Sequence, residues 1–271
     1  MKPGAFEYHR PSTMAEAAAI LSSDQDAKII AGGQTLGPML NLRLAQPPLL
    51  VDITRIPEGK AVTDTANSVT YGACISHANI EDGRVPDPTG GFLRRVARGI
   101  AYRAVRTRGT IGGSLAHADP AADWISALSV LEVEIGILGP SSSRRVPLRQ
   151  FMRGALSTDL GQGEILASVS VAKPSPRARF GYAKICRKVG GFGEAIGVVR
   201  RNPDGKVQII AGASARPPIV IEDGADFVAG RSLDQIRLSE YLVAQGLEDS
   251  PYERAIHTAV IQRALHESWQ A

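Results

Sequence analysis

Short apolar runs punctuated by glycine and proline mark the start of the chain. Thr13 and Glu16 stand at capping-box spacing, and the segment MAEAAAILSS after Thr13 predicts a short helix with alanine and leucine on one side. AKIIA predicts a buried strand, PMLNLRLAQ a helix stopped by Pro47 and Pro48, and LLVDI a second strand. A strand–turn–helix–strand unit of this kind calls for parallel pairing.

From about residue 56 the rhythm changes. SVTYGACIS, EVEIGILG and EILASVSVAK alternate in part, which predicts an antiparallel or mixed sheet. One helix over the arginine-rich segment and another over AADWISALSVL interrupt it. In KPSPRAR, residues 173–179, proline and basic residues cluster without periodicity and suggest a domain boundary. Beyond it AKICRK, AIGVVRR and VQIIAGAS read as short strands, with the turn NPDG at residues 202–205. Two helices close the chain. Ser250, Pro251 and Glu253 announce the second as cap, first helical position and box partner. The expected units are residues 1–55, 56–176 and 177–271.

Composition narrows the classes. The 271 residues exceed one small core, and 44% hydrophobic with 21% charged is ordinary for a globular protein. No window reads as a membrane span or signal peptide. Cys74 and Cys186, the only cysteines, lie outside any CxxC, which argues against a disulfide framework or a metal cluster and for the cytoplasm. The histidines His9, His77 and His117 lack metal-ligand spacing, and His77 and His117 read first as loop residues and next as contacts to cofactor or substrate. Six arginines between residues 94 and 108 could meet nucleic acid, yet no aromatic strand or zinc pattern accompanies them. They read first as a solvated helix face, with Arg94 and Arg98 one turn apart, and next as a contact with an acidic partner.

Two glycine pairs carry the candidate chemistry. Ile29 and Ile30 run into Ala31, Gly32, Gly33, Gln34 and Thr35; Thr110 and Ile111 run into Gly112, Gly113 and Ser114. Each pair has two readings: a sharp turn that glycine makes without steric cost, or a concave row of backbone N–H groups for a phosphate. The second is strengthened by recurrence in another subdomain, each time with a hydroxyl residue and no basic side chain. GxxxxGK[ST] is absent, and GGQTLG is not GxGxxG.

KIIAGGQTLGPMLNLRLAQPPLLVDI together with RTRGTIGGSLAHADPAAD resembles the flavoprotein, or medium, subunit of the molybdenum hydroxylases, the carbon monoxide dehydrogenase and xanthine dehydrogenase family. The resemblance covers nearly the whole chain. It implies an α+β fold: a PCMH-type FAD-binding domain of two α/β subdomains, one a small parallel βαβ unit and the other a larger mixed or antiparallel sheet. A small C-terminal α+β domain, an antiparallel sheet with helices, follows. It also implies that Ile30 to Thr35 and Thr110 to Ser114 cradle the FAD pyrophosphate, and that Asp123 meets ribityl or adenosine hydroxyls. Ile100 and Leu166 would give apolar contacts, Lys184 would lie near the isoalloxazine, and Phe192 would stand where many relatives have a shielding tyrosine. Gln34 replaces the histidine of covalently attached relatives, so FAD is expected to be non-covalent. None of these residues is expected to be a general acid or base.

The implied activity is oxidoreductase electron transfer. A small [2Fe–2S] subunit and a large molybdopterin subunit are the expected partners, in a dimer of heterotrimers. Electrons would pass from the clusters through FAD to an external acceptor. The alternative is a free-standing non-covalent FAD oxidase or reductase with its own small-molecule substrate.

Overall fold

The computed structural model describes residues 2–270 and contains three main β-sheets. The first has three parallel strands in the order Glu7–His9, Leu49–Asp52, Lys28–Ile30, with helices Met14–Ser23 and Leu36–Asn41 as crossovers. The parallel unit expected from sequence is therefore present, with three differences. Lys28–Ile30, expected to be buried, is an edge strand beside a cavity, with Lys28 exposed and both isoleucines only partly buried. Glu7–His9 adds a strand whose residues are all exposed, so no apolar alternation announces it. The second helix ends at Asn41, well before the prolines, and Arg43 then enters the left-handed region with φ 58°. The first helix starts where its cap predicts: the Thr13 hydroxyl accepts the Glu16 N–H at 3.1 Å. The Glu16 carboxylate reaches one residue further back, to the N–H and hydroxyl of Ser12 at 2.7 and 2.8 Å.

The second sheet is wholly antiparallel, in the order Val62–Asp64, Ser68–Gly72, Ile165–Ala172, Val133–Leu138, Ser143–Pro147. Along Val133–Leu138 the alternation is plain: Val133, Ile135 and Ile137 are buried and Glu134 is exposed. The arginine-rich segment is not one helix. It forms Phe92–Gly99 and Arg103–Arg108, broken at Ala101, whose φ is 44°. Arg106 holds the break. Its guanidinium donates to the carbonyls of Ile100 and Ala101 at 2.9 Å each, while the Glu81 carboxylate accepts from it at 2.7 Å. Arg103 binds Glu81 and Asp82, and Arg95 binds Glu267. Arg94 and Arg98 remain exposed, so the solvated face holds for them and not for the cluster as a whole.

The third sheet has four antiparallel strands, Arg179–Ile185, Ala195–Arg201, Val207–Gly212 and Ile219–Ile221. Period-2 alternation lets it serve two cores at once. Ile196, Val198 and Ile210 join the main core with Trp124, Leu128 and the second sheet. Ala195, Val199 and Ile209 pack instead with Val260, Ile261 and Ala264 of helix Pro251–Ser268. That helix begins as read, with the Ser250 hydroxyl accepting the Glu253 N–H at 3.1 Å, but the Glu253 carboxylate lies 3.3 Å from His257 Nδ1.

The last helix lies close to its sheet because glycine leaves room. A Cβ at Gly197 would stand 2.6 Å from the Val260 carbonyl carbon, which is backbone and cannot rotate away. Gly197→Ala should therefore cost about 1–3 kcal/mol in urea melts. Gly205→Ala meets open space and is strained only by its φ of +88°, so it should cost about 1 kcal/mol. Equal, small losses at both positions would show that the helix is not seated on Gly197.

Candidate functional site

Strand Lys28–Ile30 leads through Ala31 into a turn, Gly32 to Thr35, that starts helix Leu36–Asn41. Its two glycines answer different demands. Gly33 has φ +70°, which a side chain would strain. Gly32 has no room for one: a Cβ would lie 2.1 Å from the Arg108 carbonyl oxygen and 2.8 Å from Gly109 Cα. The turn is thus pressed against the segment that leads into the second glycine pair. Among the described residues, no protein acceptor takes the backbone N–H of Gly32, Gly33, Gln34 or Thr35. The Gln34 amide braces the turn from within, donating to the Gly32 carbonyl at 3.1 Å.

The second pair is not a twin of the first. Gly112 and Gly113 lie in the opening of helix Ile111–His117, where the Thr110 hydroxyl accepts the Gly113 N–H at 3.0 Å. The N–H groups of Ile111, Gly112 and Ser114 donate to the carbonyls of Ile75, Ala73 and Thr110, each at 3.0 Å. The expected row of free donors is therefore absent between Ile111 and Ser114, because the fold has already used them. Gly112 permits close packing, since a Cβ there would sit 2.5 Å from that of Ala73. What this side offers is the Ser114 side chain and the bare face of Gly113. A Cβ on Gly113 would stand 3.9 Å from that of Ala31, so the two segments meet.

Both segments line one cavity of about 540 Å³, within the range of sites for organic ligands. Ala31, Gly32, Gly33, Gln34 and Thr35 supply one stretch of wall, and Thr110, Gly113 and Ser114 another. Ile100, Asp123 and Phe192 complete the predicted set that reaches it. Ile100 is set there by the break that Arg106 holds; Phe192 is 66% exposed. Five expected residues lie outside the lining. Ile30 is a strand residue below the turn, Ile111 and Leu166 are core side chains, Gly112 packs on Ala73, and Lys184 is held by Asp123.

That last pair is a structural bolt. Asp123 is the first residue of helix Asp123–Leu128, after the cap residue Ala122. Its Oδ1 accepts from Lys184 Nζ at 2.7 Å and from the Tyr182 hydroxyl, and Lys184 also donates to the Gly99 carbonyl at 3.0 Å. Both charged side chains are more than nine-tenths buried. Burial, and then the Asp123 charge, push the Tyr182 phenol well above its ordinary range. Lys184 thus ties the third sheet to the cavity wall as an ion pair; breaking one partner of such a pair is costly.

Several lining residues were missed or given first another role. His77, read as a loop histidine, is buried and opens helix His77–Glu81; the Ser76 hydroxyl caps that helix by accepting the Asn79 N–H at 3.1 Å. Serine ahead of HANIE was a usable signal. His77 Nδ1 accepts the buried Trp124 indole N–H at 3.0 Å, a pairing no local pattern shows. Lys28 and His117 also line the cavity. Leu156 joins them from the hairpin Met152–Gly154/Ser157–Thr158, a contact made only by tertiary folding.

Residues 4–174 match a family profile described as the FAD binding domain in molybdopterin dehydrogenase. The chain is similar to the carbon monoxide dehydrogenase medium chain of Hydrogenophaga pseudoflava, with 30% identity across 99% of each chain. It is also similar to the nicotine 6-hydroxylase medium subunit of Paenarthrobacter nicotinovorans, with 31% identity across 95% of this chain and 91% of that one. Among solved structures it superposes on carbon monoxide dehydrogenase from H. pseudoflava with a TM-score of 0.90 and 30% identity, covering 100% of this chain and 99% of that one. Against quinoline 2-oxidoreductase from Pseudomonas putida 86 the TM-score is 0.87 with 30% identity and the same coverage.

His77 also makes stability depend on pH. Burial, and then the Arg106 charge, lower its pKa to about 4, against roughly 6.5 in the unfolded chain. As pH falls through that interval, the unfolded state takes up a proton that the folded state refuses, so stability is lost with acidification. Urea melts should show about 2 kcal/mol of this loss between pH 7 and pH 5, and His77→Gln should remove that share of the drop. An unchanged drop in the variant would exclude His77 as its source.

Proposed function

The chain belongs to the family of FAD-binding domains of molybdopterin dehydrogenases, and we propose that it is the electron-transfer flavoprotein subunit of a molybdenum hydroxylase. In this reading it takes electrons from [2Fe–2S] clusters of a small partner subunit and delivers them through FAD to an external acceptor. A large molybdopterin subunit oxidises the substrate, and the parts assemble as a dimer of heterotrimers.

The observation that carries the reading is the meeting of both glycine segments on one cavity, where Gly32 to Thr35 line the wall and, among the described residues, no protein acceptor takes their four N–H groups. These residues fit a dinucleotide. A pyrophosphate needs fixed donors and close backbone approach; Gly33 and Gly113 leave the wall bare, and the Ser114 side chain adds a polar group. Ile100, Ala101, Val105 and Leu156 give the same cavity apolar wall suited to flat rings. Gln34 has no imidazole, so attachment through a histidyl bond has no candidate at that position.

When bound, FAD supplies the redox chemistry, a two-electron carrier that also accepts electrons singly. The chain's part is to seat and enclose it. Two cysteines cannot furnish the four thiolates of a cluster, and Cys74 is buried with its thiol pushed up to about 11 by desolvation. Clusters therefore belong to another chain. Among the described residues, no helix is long and apolar enough to cross a membrane.

Purified chain titrated with FAD should take up one flavin, with bound-flavin absorbance bands. Gly32→Ala should weaken that uptake at least tenfold, because its Cβ would drive the turn away from Arg108. A wild-type chain that takes up no FAD would end the proposal. Co-expression should bring down an iron–sulfur and a molybdenum subunit; turnover of a small molecule by the isolated chain would favour a free-standing flavin enzyme.

A further inference from the structure

The core dictates the hydrogen-bonding state of one cavity-lining side chain, His77. Its backbone N–H donates to the Gly109 carbonyl at 2.9 Å, which ties the start of helix His77–Glu81 to the segment just before Thr110. Its ring lies against Trp124, a fully buried residue whose indole nitrogen can only donate. That donor is met by His77 Nδ1 at 3.0 Å. Nδ1 must therefore present a lone pair, and a neutral imidazole has one N–H, so the proton sits on Nε2. Protonating the ring would set a second donor against the indole N–H. The same geometry that fixes the tautomer opposes the charge, and so does the nearby Arg106 cation.

Nε2 occupies the other edge of the ring. A Cβ on Gly109 would lie 2.9 Å from it, and Gly109 and Thr110 belong to the cavity wall. His77 is only 5% exposed, yet no protein group among the described residues accepts from Nε2. Nor is this nitrogen one of the side-chain atoms sealed from solvent without a partner. The ring thus carries an oriented donor with no protein partner among the described residues, on a buried residue that lines the cavity. A donor so placed calls for an acceptor that enters from outside the protein.

We propose that His77 is a cofactor-binding residue: held by Trp124 as the neutral Nε2–H tautomer, it donates to an oxygen of the dinucleotide in the cavity. The inference rests on the reading of the cavity as the FAD site. It gives the wall formed by Gly109 and Thr110 a donor of its own, where the N–H groups of Ile111, Gly112, Gly113 and Ser114 are already spent. Trp124 then acts at one remove, as a positioning residue that sets the tautomer.

Two substitutions and one spectrum test it on the full chain. His77→Asn keeps an acceptor near the Nδ1 position for Trp124 and removes the distal donor. His77→Gln places an amide N–H near the Nε2 position. FAD titrations followed by flavin fluorescence should show binding weakened about tenfold or more in H77N and within about threefold of wild type in H77Q, with melting temperatures of the apo chains confirming that both fold. In ¹⁵N-histidine spectra of wild type at pH 7, His77 should be the Nε2–H tautomer, and its Nε2–H resonance should shift on adding FAD. Folded H77N that binds FAD as tightly as wild type would overturn the inference. So would a wild-type chain that binds FAD while the His77 resonance stays still, or a ring found as the Nδ1–H tautomer or imidazolium; these outcomes leave the FAD reading standing. Should H77N fail to fold, the wild-type spectra decide alone. A wild-type chain that binds no FAD removes both.

Discussion

At Gly32 the chain passes so close to the Arg108 carbonyl that no carbon atom fits between them. The rest of the site depends on this approach of two backbones. It brings the turn of the first, parallel sheet against the segment that enters the helix beneath the second, antiparallel sheet. A cavity walled by both segments remains between them. With any side chain at that position the two lobes would be held apart, and the donors of the turn would face solvent instead of a cavity.

The two walls do unequal work, and the cause is the accounting of backbone hydrogen bonds. In the first turn, residues 32–35 belong to neither strand nor helix, so their N–H groups have no ladder or helical turn to join. In the second, Ala73 and Ile75 run alongside and take two of the donors, and Thr110 takes two more as cap. The sequence likeness of the pairs, Gly-Gly with a hydroxyl residue close by, conceals that difference. One pair presents donors; the other secures a helix against its neighbours, and His77 and Ser114 stand where an acceptor can be met.

Charged side chains deep in the protein hold the cavity's shape. Arg106, gripped by Glu81, fixes the bend that carries Ile100 and Ala101 into the wall, and Lys184 with Tyr182 fastens Asp123 from the third sheet. Buried pairs of this kind add little net stability, yet they tolerate no loss of one partner. Their contribution is register: they specify which side of each helix faces the ligand space. The shared core of Trp124, Leu128, Ile196 and Val198 does the same with apolar contacts.

The amino-acid sequence alone determined whatever arises within a few residues. The caps at Thr13 and Ser250, the period-2 strands, the Asn202–Gly205 turn and the positive φ of Gly33 all follow from neighbours one helical turn away. So did the parallel unit, since its crossover helix leaves no other pairing. Tertiary structure decided which donors are free, that Leu166 and Ile111 go to the core, that Lys184 is paired with Asp123, and that His77 is a buried partner of Trp124 in place of a loop residue. Each of these depends on a partner far along the chain, Ala73 for Gly112, Asp123 for Lys184, Trp124 for His77. A hydrogen bond acts over about 3 Å of space and is indifferent to separation in sequence, which is why local pattern could name the residues of the site and only the fold could assign their work.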